Sequence, residues 1–216
     1  MTTQATQEIT MDINNLRALR ALRLKGRMSA PEIAPATGLP ETLAIGIVKE
    51  LTAQGHIEEV RGGLKLSTRG REYLTDQLSL ERQTVDEVRM RGLYDEFDTH
   101  NNALKSLMTR WQLKADNTPN DHADPDYDQS VIDNLVRVVD AEFQPLLTRI
   151  VAVAPRLGHY PGRLRGALNR VQAGDHTWFA KPLADSYHTV WFELHEDLIG
   201  IAGLSRAEEA AAGRAE

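Results

Sequence analysis

The 216-residue chain contains no cysteine, which excludes disulfides, thiolate metal sites and cysteine nucleophiles. Any catalysis must come from His, carboxylate, Ser or Tyr side chains. Aromatic residues make up only 6% of the chain, and no apolar run approaches the roughly 18 residues that a membrane helix needs. No membrane partner is therefore expected. The sequence also lacks G-x-S-x-G, a Walker loop and a dinucleotide fingerprint, so neither a cofactor nor a metal is expected. The polar start carries Glu8, Asp12, Arg17 and Arg20 without an apolar signal core, and reads as a chain kept in the cytoplasm. What remains, 41% apolar and 26% charged residues, is the composition of an ordinary globular protein with one large domain or two small ones.

The net charge of -6 hides an asymmetry. Residues 1–75 hold ten Lys or Arg against eight Asp or Glu, net +2, and the remainder holds fifteen against twenty-three, net -8. Affinity for nucleic acid scales with the phosphates neutralised, so only the first part suits that partner.

In that first part, after a polar arm, Leu16, Leu19, Leu22 and Leu24 with interleaved Arg17, Arg20 and Arg23 predict a short basic helix stopped by Gly26. Ser29 with Glu32 three residues on predicts a capped second helix ending at Gly38. Pro40 opens a third, with Ala44, Val48 and Leu51 as its core stripe. His56–Val60 and Leu64–Leu66 around Arg61-Gly62-Gly63 predict a hairpin, and Ser67-Thr68-Arg69-Gly70 opens the next helix.

This order, carried by Ser29-Ala30-Pro31-Glu32-Ile33-Ala34, Thr37-Gly38-Leu39-Pro40, Val48-Lys49-Glu50-Leu51, Gln54-Gly55-His56-Ile57 and Leu66-Ser67-Thr68-Arg69-Gly70, resembles the winged helix-turn-helix of MarR-like bacterial transcriptional regulators. The resemblance covers roughly residues 15–75 and implies that the third helix enters the major groove. It assigns Thr42, Lys49, Arg61 and Lys65 as DNA-contacting residues. The exposed positions Glu41, Thr42, Ile45, Gly46 and Lys49 depart from the usual Arg, Lys, Asn and Gln readers of base edges.

Beyond residue 75 the pattern is all-helical: a long connecting helix over 76–114 with Gly92 as its expected breaking point, an acidic loop over 115–128, then helices over 129–154, 161–173 and 185–203 before a frayed Ala/Glu tail. The fold class expected is thus mainly α, with a winged helix-turn-helix domain at 1–75 and an all-helical domain at 76–216. Asp124-Pro125-Asp126-Tyr127-Asp128 resembles a calcium loop only superficially, because Gln129 and Leu135 stand where that loop needs Gly and Glu. Asn120-Asp121-His122 reads as Asx-turn residues or as a polar loop site.

In the last helix Tyr187, Val190, Trp191, Leu194, Leu198 and Ile201 form one apolar face, and His188, Phe192, His195 and Ile199 a second. His188 and His195 are two turns apart, about 10 Å, which does not fit the i, i+4 spacing of a helical zinc pair. Asn101 falls inside the Phe97, Leu104, Met108, Trp111 stripe and needs a hydrogen-bond partner. Arg163 at a helix start offers a charge to a carboxylate or phosphate. Asn101, Tyr160, Arg163, His188, Trp191 and His195 are therefore the expected lining of a pocket for a small anionic or amphipathic ligand. The functional expectation is a DNA-binding regulator whose helical domain forms a homodimer or senses a ligand. The alternatives are a non-catalytic adaptor holding a protein partner and, third, an enzyme using His188 or His195.

Overall fold

The first helix begins where Asp12 turns its carboxylate back onto the amides of Asn14 and Asn15, at 2.8 and 3.2 Å, capping donors that the helix itself leaves open. The computed structural model describes residues 11–182, 184–204 and 206–211. The polar arm before Met11 and the end of the Ala/Glu tail after Ala211 lie outside the described residues. The chain divides into two compact units, Met1–Thr84 and Val85–Glu216. The boundary thus falls nine residues later than the expected one at 75, because the helix after the hairpin stays with the first unit.

The first unit consists of α1 (Ile13–Lys25), α2 (Ala30–Thr37), α3 (Glu41–Ala53), β1 (Ile57–Val60), β2 (Gly63–Leu66) and α4 (Thr68–Thr84). Leu16, Leu19 and Leu22 of α1 are fully buried, and Ile33, Ala44, Ile47, Leu51, Ile57 and Leu66 complete the core around them. Ile47 takes the buried position in α3 that the sequence stripe gave to Val48, which is half-buried. In α2 the Ser29 amide donates to the Glu32 carboxylate at 2.6 Å.

β1 and β2 pair antiparallel from Ile57 opposite Leu66 to Val60 opposite Gly63. Met28 forms a single bridge to β2, exchanging hydrogen bonds with Leu64 at 3.0 and 2.7 Å. Ser67 joins the hairpin to α4: its hydroxyl donates to the Gly55 carbonyl at 2.7 Å and accepts the Gly70 amide at 2.9 Å. Gly70 itself packs so closely on the backbone of His56 that a Cβ would collide with that carbonyl. Gly70→Ala is therefore expected to destabilise the first unit by about 1–3 kcal/mol, since backbone rather than a pliable side chain must yield. Urea unfolding followed by far-UV circular dichroism measures the loss.

His56 is buried and stacks on Tyr73, with ring centroids 4.1 Å apart. Burial, and then the charge of Arg69, pulls the His56 pKa below its ordinary 6.5. The folded state thus holds the neutral ring while the unfolded chain takes up a proton. Stability is full above about 6.5 and declines as pH falls from there toward the lower folded value. His56→Phe, which keeps the stack, should flatten this decline in denaturation curves run between about pH 7 and 5.

The expected long helix over 76–114 is two helices, α4 of the first unit and α5 (Glu87–Gln112) of the second. The chain breaks at Val85 and Asp86 rather than near Gly92, because the Asp86 carboxylate accepts the Arg89 amide at 3.0 Å and starts α5 afresh. α6 (Pro125–Asn134) begins inside the expected acidic loop, with Asp124 as its N-cap. It runs through a π-helical turn at Leu135–Asp140 into α7 (Ala141–Val153). There Pro145 lacks the amide that would continue the ordinary ladder. A 3-10 turn at Pro155–His159 leads into α8 (Tyr160–Gln172), a second at His176–Phe179 precedes α9 (Tyr187–Ile201), and α10 (Arg206–Ala211) replaces the first part of the expected frayed tail.

α5, α7, α8 and α9 enclose the larger core. At its centre Phe97 meets Phe143 at 5.8 Å and Trp191 at 5.2 Å between ring centroids. The chain is mainly helical, and among the described residues no helix is long and apolar enough to cross a membrane.

Candidate functional site

In the first unit, α3 buries Ala44, Ile47 and Leu51 and turns Glu41, Thr42, Ile45, Gly46 and Lys49 outward. At the hairpin turn Arg61 is exposed, and the exposed Arg27 side chain donates to the Arg61 carbonyl at 3.1 Å while lying alongside Gly62. Arg23, near the end of α1, is exposed as well. Lys65 stands directly opposite Glu58 in the hairpin, and the two form an ion pair at 3.0 Å. Of the four residues assigned to DNA, Thr42, Lys49 and Arg61 are therefore open to solvent, whereas the charge of Lys65 is partly neutralised by a cross-strand carboxylate. The Arg27 position was legible only as general basic surface; its place at the turn follows from the Met28–Leu64 bridge, a single-residue pairing with no periodicity to announce it.

In the second unit the residues expected to line one pocket fall into two places. Asn101, His188, Trp191 and His195 share a cleft between α5 and α9 with Leu104, Lys105, Met108, Phe192 and Glu196. Its free volume is about 10 Å³, room for a single water rather than a small molecule. Asn101 and His195 are buried and His188 is half-buried. The Trp191 indole donates to Asn101 Oδ1 at 3.1 Å, which supplies the partner the buried amide needs. His195 Nε2 lies 3.1 Å from the Tyr94 hydroxyl, which in turn donates to the buried Glu209 carboxylate.

Tyr160 and Arg163 lie elsewhere, against the Glu193 and Asp197 face of α9. Arg156 and Asp197, each 1% exposed, form a bidentate pair at 3.1 and 3.2 Å, and the Tyr160 hydroxyl donates to Asp197 Oδ2 at 2.7 Å. Arg163 donates to Asp185 at 3.0 and 3.3 Å. Its Nη1 also sits 2.7 Å from Glu193 Oε2 in a buried ion pair.

Burial is the largest influence on the Arg163 pKa and lowers it, but the carboxylates of Glu193 and Asp185 together outweigh it and raise the value. Burial, followed by the charges of Asp197 and Glu193, pushes the Tyr160 phenol well above its usual range, so it remains a donor. The expectation that Arg163 offers its charge to an anionic ligand in a pocket is corrected on this geometry: the side chain is buried and already faces the carboxylates of Asp185 and Glu193, which an incoming anion would have to displace.

The sequence reading assigned neither Glu193 nor Asp197 to the site and saw Arg156 only as part of a basic turn suited to an anion. Asp197 follows Val190 and Leu194 at heptad spacing and precedes Ile201 by four, a phase that marks it as core.

On the connecting loop, Asn120 donates to the Trp111 carbonyl at 3.1 Å and to Asp128 Oδ1 at 2.8 Å, and its own Oδ1 accepts the His122 amide at 3.1 Å. His122 Nδ1 lies 3.0 Å from Asp128 Oδ2. Asn120 thus holds the bend as an Asx turn, with Asp128 as the buried anchor. Comparison of the chain with protein-family models, with curated proteins and with solved structures finds no match.

Proposed function

We propose that the first unit is a winged helix-turn-helix that binds duplex DNA, and that the protein is a cytoplasmic DNA-binding regulator whose helical second unit serves assembly. The observation that carries this reading is the coincidence of a helix with a fully outward face, Thr42, Ile45, Gly46 and Lys49, with a short two-strand wing. The Met28–Leu64 bridge sets Arg27 beside the Arg61 carbonyl at the tip of that wing. A helix about 10–12 Å across fits a major groove about 12 Å wide, while cations on a wing meet the flanking phosphates.

Fluorescence anisotropy of the full chain with a panel of labelled duplexes tests the reading. Arg61→Ala should weaken all duplexes about equally, and Thr42→Ala should change the preference between them. No complex at low salt would overturn it. One observation favours a protein-holding adaptor instead: Leu43 and Ile45 expose 42% and 43% of their surface on α3, which suits an apolar partner surface as well. The adaptor predicts no duplex binding at any salt.

A further inference from the structure

Two features of α3 have no explanation inside the chain. Gly46 sits in the middle of the helix, where glycine is destabilising relative to alanine, yet a Cβ there would meet nothing within 4 Å. No neighbour requires the missing side chain. Beside it, Ile45 holds a β-branched apolar side chain in solvent at 43% exposure. The same face offers base edges only the Thr42 hydroxyl and the Lys49 amine as donors. It contains none of the Arg, Asn or Gln forks that read guanine or adenine bidentately. An apolar side chain next to a bare stretch of helix is suited instead to close contact with an apolar group on the groove floor. The thymine C5 methyl is such a group in the major groove. The exposed cations of the first unit, Lys49 on this face and Arg27 and Arg61 at the hairpin turn, match the negative backbone on either side of a groove.

We infer that the Ile45–Gly46 face of α3 reads thymine methyl groups in the major groove, so that the chain selects duplexes with thymine at the contacted positions. This inference rests on the winged-helix reading above. Ile45 packs against the methyl, and Gly46 lets the helix backbone approach the base edges. Lys49 and the wing cations hold the phosphates without choosing a sequence.

The test starts with selection of duplexes from a randomised pool by the full chain. The selected duplex is then remade with deoxyuridine in place of each thymine, which keeps every hydrogen-bonding group and removes only the methyl. The affinity should fall about fourfold for each contacted methyl lost. Ile45→Ala should bind both versions equally. Because Ile45 is exposed, its fold is expected to be intact, verified by an unchanged unfolding midpoint. Gly46→Ala should raise that midpoint and yet weaken binding, the opposite signs that a groove contact requires. Equal binding of the thymine and deoxyuridine duplexes by the unaltered chain would overturn the methyl readout while leaving DNA binding in place. Absence of any complex at low salt would overturn both.

Discussion

Replacing Asp197 by alanine is expected to cost the second unit about 3–5 kcal/mol of stability, the loss typical when one partner of a buried ion pair is removed. Arg156 is 1% exposed and loses both bonds of its bidentate pair. The Tyr160 hydroxyl, also buried, loses its acceptor at the same time. Such a loss is a large part of the roughly 5–15 kcal/mol that holds a domain folded. Trp111, Trp178 and Trp191 all belong to the second unit, so tryptophan fluorescence in urea reports its unfolding separately from the first. The double replacement Arg156→Met with Asp197→Leu should recover most of the loss, because it removes the buried charge together with its partner. A change below about 1 kcal/mol for Asp197→Ala would mean that solvent reaches the pair.

The second large effect concerns salt. Arg23, Arg27, Lys49 and Arg61 are exposed cations of the first unit. At a slope of about 0.9 per phosphate neutralised, four contacts give a slope near -3.6, or about a hundredfold loss of affinity between about 50 and about 200 mM salt. Arg61→Ala should reduce the slope by about one. Lys65→Ala should leave it nearly unchanged, since the ion pair with Glu58 at 3.0 Å already offsets the charge. A shallow slope in the unaltered chain would remove the phosphate contacts from the account.

The first unit was legible because its signals are local. Glycines, the Ser29 and Glu32 cap and the Leu16, Leu19, Leu22 repeat act over a few residues, and the helices and hairpin stand close to where those signals put them. In the second unit the apolar stripes located α5 and α9, and even the buried amide of Asn101. What stayed hidden was long-range. Arg156 and Arg163 look like surface residues in one dimension, and only the packing of α8 and the 3-10 turn before it on α9 turns them toward Asp197, Glu193 and Asp185. The break between α4 and α5 was expected at Gly92, and its place at Asp86 was hidden for another reason: helical periodicity continues through it, and the Asp86 cap is a single residue. The expected pocket divided for the same long-range reason: His188, Trp191 and His195 share a cleft with Asn101, whereas Tyr160 and Arg163 of α8 pack against Asp197 and Glu193 on the other face of α9.

The most direct test of the central claim is ultraviolet cross-linking of the full chain to a duplex carrying 5-bromodeoxyuridine, whose halogen lies in the major groove. Adducts are then mapped by mass spectrometry. The account predicts adducts within the outward face of α3, at Thr42 through Lys49. Adducts confined to residues beyond Val85, or none at a salt concentration where the duplex is bound, would contradict it.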